Sequence, residues 1–114
     1  MKKNSIGKTE LKITELSFGA TSLASLPETY GYEVTEDQAQ KTLKRFFQGP
    51  VNMLDTSRNY GLGRSEELIS QAIDNNGGWP KDFILSTKID RNMQTRRFDA
   101  TQARKSFEES LATL

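Results

Sequence analysis

"VNMLDTSRNYGLGRSEEL", residues 51–68, is the stretch on which the fold turns. The short run Val51-Asn52-Met53-Leu54 stops at Asp55, and Tyr60 follows in a loop punctuated by Gly61 and Gly63, ahead of Ser65-Glu66-Glu67. An apolar run of this length, bounded by turn residues, reads as a buried strand over 51–56. Its polar end has two readings. Asp55-Thr56-Ser57 is either a plain turn beside an ordinary aromatic, or the start of a reaction centre at the carboxyl end of a parallel strand.

The flanking segments bear on that choice. Residues 35–49, "TEDQAQKTLKRFFQG", predict a helix, with Thr35 and Gln38 as a capping box, Glu36 and Asp37 at the positive end and Gly49 as the stop. Ala39, Leu43, Phe46 and Phe47 form its apolar stripe. A second helix is expected over 65–74, with Leu68, Ile69, Ala72 and Ile73 inward and Asn75-Asn76-Gly77-Gly78 ending it. "FILSTKI", 83–89, reads as another strand, and 99–114 as a third helix with Ala103, Phe107, Leu111 and Leu114 on its inner face. Towards the N-terminus, 3–14 suggest a short hairpin turning at Gly7-Lys8-Thr9-Glu10, 15–20 a brief strand ending at Gly19, and 21–34 a loop. Strands alternating with amphipathic helices imply right-handed crossovers and a parallel sheet.

In such sheets, sites form beyond the carboxyl ends of the strands. Each predicted strand places polar residues there: Gly19-Ala20-Thr21, Asp55 with Tyr60, and Lys88. The chain has no histidine and no cysteine, so thiolate metal sites and imidazole bases are excluded. Acid–base chemistry falls to Asp, Glu, Lys or Tyr. An ammonium at Lys88 needs a partner, and Asp55 on the neighbouring strand is the obvious one. A lysine cation beside Tyr60 would stabilise the phenolate, so that Tyr60 passes a proton to or from an alcohol oxygen.

Composition narrows the remaining classes. Sixteen Lys and Arg against fifteen Asp and Glu give a net charge of +1, with no electrostatic case for nucleic acid or an anionic membrane. "RNMQTRR" reads as a solvated loop rather than a nucleic-acid patch. No apolar run approaches the ~18 residues of a membrane span, and the chain reads as soluble and cytoplasmic. Hydrophobic residues make up only 34%, which suggests a small core or apolar faces completed by something outside this chain. "GLGRSEE" fits neither a dinucleotide fingerprint nor a P-loop, and Ser65 is expected as a helix N-cap. Tyr30 and Tyr32 either line a substrate pocket or are plain loop aromatics. Trp79 is expected to pack over the entry to the third strand.

Four blocks of this sequence resemble the aldo/keto reductase family. "LDTSRNYGLGRSEELI" is similar to its D-[TS]-x-x-x-Y-G-x-[GS]-E signature, "ILSTKI" to its lysine segment, "FDATQARKSFEESLATL" to the following helix, and "SIGKTELKITELSFGATSL" to its opening hairpin and first strand. The aldose dehydrogenase branch is the nearest in feel. The resemblance implies an α/β fold: the N-terminal three βα units of a (β/α)8 TIM barrel preceded by a β-hairpin, with 1–114 a single partial domain. It implies an oxidoreductase that interconverts aldehydes, ketones or aldoses and alcohols by hydride transfer with NADP(H) or NAD(H). Asp55, Tyr60 and Lys88 fall on the family's catalytic positions; Gly19, Ala20, Thr21 and again Asp55 fall where the family touches its cofactor, and no metal is implied.

The family's catalytic histidine has no counterpart here, and a full barrel takes ~250 residues against 114. The chain is therefore expected to be an inactive N-terminal piece that either self-associates through open sheet edges or is marginally stable. The alternative is a non-catalytic binding or assembly module built on a partial barrel. Glu10 stands where the family commonly has glycine, so a positive φ there would strain it.

Overall fold

The three expected parallel strands pair side by side in the computed structural model, which describes residues 1–114. A hairpin of β1 (Lys3–Ser5) and β2 (Lys12–Thr14) comes first, followed by β3 (Phe18–Gly19), α1 (Pro27–Tyr30), α2 (Glu36–Phe47), β4 (Met53–Asp55), α3 (Arg64–Asn75), β5 (Ile84–Ser86) and α4 (Ala100–Thr113). The sheet order β3-β4-β5 follows the chain order, and both pairings are parallel. Parallel neighbours need a crossover, which α2 and α3 supply. The ladders are shorter than the apolar runs suggest, because beyond Asp55 and Ser86 the backbone leaves the sheet to build the rim.

Register sorts the strand residues onto two faces. Phe18, Leu54 and Leu85 stand side by side and pack towards the helices, as do Ala39, Leu43 and Phe46 of α2 and Leu68, Ile69, Ala72 and Ile73 of α3. With a period of two, the adjacent row Gly19, Asp55 and Ser86 lies on the opposite face, at the carboxyl ends. That alternation, and not any local preference of Asp55, is what aims its carboxylate away from the core. Phe46, Phe47, Phe83 and Trp79 close the lower end of the core with ring centroids 5.1–5.9 Å apart, and Trp79 Nε1 donates to the Phe83 carbonyl at 3.2 Å. Trp79 thus packs over the strand entry as expected.

Local signals hold at the helix starts. Thr35 Oγ1 accepts from the Gln38 N–H at 3.2 Å while Gln38 Oε1 accepts from the Thr35 N–H at 2.9 Å, completing the capping box. Asp99 caps α4 by accepting from the Gln102 N–H at 2.9 Å. One tie between elements had no sequence signal. The Asn52 amide accepts from the Thr14 N–H and donates to the Lys12 and Asp82 carbonyls, each at 2.9 Å, and so fastens the hairpin beneath the sheet.

Three expectations are corrected, and at Glu10, where strain and a different turn are the two alternatives, the turn differs. Ser65 does not cap α3, whose N-cap is Gly63; fully buried, Ser65 Oγ bonds Thr56 Oγ1 at 2.9 Å and the Ala20 carbonyl at 3.3 Å instead. Residues 21–34 are not all loop: a 3-10 turn over Thr21–Ala24 and α1 lie within them, because Pro27 supplies a helix-ready first position. Glu10 is unstrained, since the hairpin turn takes its positive φ at Gly7. The inner face of α4 is polar: Ser106 and Ser110 are buried, whereas Phe107 and Leu111 are 52% and 65% exposed. α4 docks on a hydrogen-bonding network rather than on the apolar core, so hydroxyls and not methyls are the side chains that fit there.

Candidate active site

Asp55 is the last residue of β4, Tyr60 lies in the loop that joins β4 to α3, and Lys88 follows β5 by two residues. The structure brings the three together. Lys88 Nζ donates to Asp55 Oδ2 at 2.6 Å and to the Thr56 carbonyl at 2.9 Å, and it stands over the Tyr60 ring, 4.9 Å from the centroid. Two of its three donors are used, which leaves the third for Tyr60. Ser86 Oγ donates to the other Asp55 oxygen at 3.1 Å, so both carboxylate oxygens are engaged and the group cannot swing freely. Sequence reasoning missed Ser86, although period-two alternation places it on the same face as Asp55.

The electrostatics follow from this arrangement. Partial burial works to lower the Lys88 pKa, but the Asp55 carboxylate and the Tyr60 oxygen together outweigh it and hold the ammonium above its ordinary value. Lys88 is therefore a fixed cation at neutral pH.

The loop carrying Tyr60 is shaped by close contacts. A side chain on Gly61 would meet Ala24 Cβ at 2.7 Å, and one on Gly63 would meet the Arg58 guanidinium at 2.7 Å; both glycines have positive φ. Arg58, tucked in by Gly63, pairs with Glu66 at 3.2 Å. Glu66 is fully buried, and its other oxygen accepts from Thr87 and Ser110 hydroxyls at 2.7 Å each. This carboxylate knits the Tyr60 loop, the residue before Lys88 and α4 into one body. Nothing in "RSEEL" distinguishes Glu66 from Glu67 as the buried one.

Gly19, Ala20 and Thr21 border the trio. Gly19 pairs with Asp55 across the sheet, Ala20 donates its N–H to the Asp55 carbonyl at 2.9 Å, and Thr21 opens the 3-10 turn. No atom lies within 4 Å of where a Gly19 side chain would start, so a bound group can approach the backbone there. These residues leave an open stretch of backbone beside the trio and enclose no pocket there. The two largest cavities, about 540 and 560 Å³, flank Phe18 beside Lys41 and Thr42, and neither is lined by Asp55, Tyr60 or Lys88. No group of acidic residues is placed to hold a metal ion, and no helix is long and apolar enough to cross a membrane.

Comparison with known proteins places the fold in a family. The family model described as the aldo/keto reductase family matches residues 15–114. L-galactose dehydrogenase of Arabidopsis thaliana is 35% identical over 109 residues, covering 96% of this chain and 33% of that protein. A probable voltage-gated potassium channel subunit beta, also from Arabidopsis thaliana, is 35% identical over 89 residues, covering 78% of this chain and 25% of that protein. Among solved structures, the holo form of aldo-keto reductase AKR11C1 from Bacillus halodurans superposes over 100% of this chain and 36% of its own, with a TM-score of 0.79 and 25% identity. The glycerol dehydrogenase AKR11B4 of Gluconobacter oxydans matches in fold alone, with a TM-score of 0.67 and 18% identity over 98% of this chain and 35% of that one. The chain thus spans about a quarter to a third of the length of the curated relatives it matches. Its hairpin and three βα units correspond to the N-terminal part of a (β/α)8 barrel whose remaining units those relatives carry. With the family model spanning all but the hairpin, and the parallel units in the order those barrels require, this chain belongs to the aldo/keto reductase family of oxidoreductases.

Proposed function

We propose that this chain carries the proton-transfer half of a carbonyl reductase site, with Tyr60 as the general acid and base, Lys88 as its fixed cation and Asp55 as the anion that orients Lys88. The observation that carries this reading is the single ammonium that meets Asp55 at 2.6 Å and the Tyr60 ring at 4.9 Å. Gly19, Ala20, Thr21 and Asp55 would hold one side of NADP(H) or NAD(H), which would supply the hydride when bound. Tyr60 gives its phenolic proton to the carbonyl oxygen of an aldehyde, ketone or aldose as the carbon is reduced, and the phenolate left behind is stabilised by Lys88. In the reverse direction the same phenolate accepts the alcohol proton. Proton transfer by a positioned side chain is worth about 10²–10⁴ in rate.

The chain by itself is expected to be inactive, because it has no histidine and only one open wall of the site. The test is a chimera in which residues 1–114 replace the matching third of the Arabidopsis L-galactose dehydrogenase. Nicotinamide-dependent carbonyl reduction by the chimera, lowered by about 10²–10⁴ in Tyr60→Phe, supports the proposal. A folded chimera indifferent to Tyr60→Phe refutes it, and turnover by the chain alone refutes the expected inactivity.

A second reading, an assembly module without catalysis, draws on the potassium-channel relative and on the exposed Phe107 and Leu111. It predicts an active-site-dead chain that still associates when Tyr60 and Lys88 are both replaced. The free edges of β3 and β5 give self-association a physical route in either reading.

A further inference from the structure

Tyr60 and Lys88 both stand outside regular structure, and the ion pair that joins Lys88 to Asp55 is more than a third exposed on each side. Such a pair is too weak by itself to hold a long, flexible side chain in one place. Something else must fix the two loops against each other, since small misplacements of reacting groups are expensive in rate. The loops are braced on both flanks. On one, buried Glu66 holds Arg58 and Thr87, as described above. On the other stands Asp90, two residues past Lys88, which neither the fold nor the proton-transfer scheme has so far used.

Asp90 Oδ2 accepts from the Ser57 hydroxyl and from the Asn59 N–H, the latter at 3.0 Å. Asn59 replies by donating its side-chain amide to the Arg91 carbonyl at 3.1 Å. Asp90 is itself anchored to α4, through its N–H to Ser106 Oγ at 2.9 Å and its carbonyl to Gln102 Nε2 at 3.1 Å. The turn it grips is the one that carries Tyr60, whose N–H donates to the Ser57 carbonyl at 3.1 Å.

We propose that Asp90 is a positioning residue for the Tyr60–Lys88 pair: it ties the turn before Tyr60 to the segment after Lys88 and sets the distance between phenol and ammonium. The proposal rests on the acid–base reading of that pair. It assigns Asp90 a role distinct from that of Glu66. Glu66 is buried and holds the fold, whereas Asp90 is half-buried at the rim and holds the site.

The test uses the isotope-labelled chain itself. A lysine side chain over an aromatic face has its ε-methylene proton resonances displaced upfield by the ring current, and Tyr60→Leu, which removes the ring, identifies the Lys88 signals as those whose displacement is lost, whereas Tyr60→Phe should retain it. Asp90→Ala is expected to abolish the displacement while lowering the melting temperature by no more than about 8–16 °C, the shift expected for loss of two ordinary hydrogen bonds in a small domain. Asp90→Asn is expected to restore it, because a single amide oxygen can accept both bonds that Oδ2 now accepts. If Asp90→Ala does not fold, Ser57→Ala decides: a reduced displacement supports the proposal and an unchanged one overturns it. A displacement that survives Asp90→Ala in full, or that Asp90→Asn loses equally, overturns the positioning role alone. A wild-type chain with no displacement overturns the acid–base reading and this proposal with it.

Discussion

Lys88 and Glu66 show how differently two charges can be used at one rim. The Lys88 pKa is raised in the folded chain because Asp55 and Tyr60 outweigh partial burial. A raised basic pKa contributes stability at every pH below the unfolded lysine value of about 10.4, and the contribution is lost as pH climbs through the higher folded value. Lys88→Met should therefore lower stability at pH 8 by about 0.2–1 kcal/mol, the range for a half-exposed pair. Urea unfolding should show that gap closing at strongly alkaline pH, and a gap that widens there would contradict the pairing. Glu66 is the opposite case. Fully buried and bonded to Arg58, Thr87 and Ser110, it leaves uncompensated polar groups behind when altered. Glu66→Gln should cost about 3–5 kcal/mol, whereas Glu67→Gln, one residue on and exposed, should stay within about 0.5 kcal/mol. Denaturant midpoints of the two variants settle the comparison.

Among the elements, the hairpin and α4 are the two whose attachment is unusual. β1 and β2 carry few buried side chains, so the hairpin is held mainly by two of the three Asn52 amide bonds, to Thr14 and Lys12, and by Thr14 Oγ1, which accepts from the Asn52 N–H at 3.2 Å; the third amide bond anchors Asn52 to Asp82. Asn52→Ala should cost about 1–3 kcal/mol, the desolvation penalty of the partners it strands. Amide exchange should quicken in Lys3–Ser5 and Lys12–Thr14 while the Leu54 amide stays protected. Equal loss of protection in both places would show that the hairpin is not separately fastened. α4 was expected to bury Phe107 and Leu111 because helical periodicity reports only that two faces differ. Which face turns inward depends on what lies beneath, and beneath α4 lie Glu66 and Asp90, each hydrogen-bonded to one of its serines. The signal that could have found this is the serine pair at 106 and 110, four residues apart on one face.

For the whole molecule, the decisive fact is a sheet with two open edges. Every strand of a closed barrel has two neighbours, but β3 and β5 have one each here. Unpaired backbone groups on the outer side of β5, and separately the uncovered Phe107 and Leu111 of α4, are places where a second copy of the chain is expected to pair. Light scattering after size exclusion should give a mass above that of one chain. Phe107→Lys with Leu111→Lys should bring it down to the monomer with little change in stability, since neither side chain is buried. A monomeric wild type with a single cooperative unfolding transition would refute this.

Of all this, the sequence by itself determined the alternation of strand and helix, the caps of α2 and α4 and the parallel order, because those depend on periodicity and on contacts within a few residues. It also marked Asp55, Tyr60 and Lys88, since each interrupts an apolar pattern at the end of a βα unit. Only the tertiary structure decided that the three meet. Their approach is set by strand register across β4 and β5 and by Ser57, Glu66 and Asp90, whose partners lie 8 to 44 residues away along the chain. Hydrogen bonds of that separation leave no periodic trace. A buried glutamate and an exposed one look alike until the chain has folded around one of them.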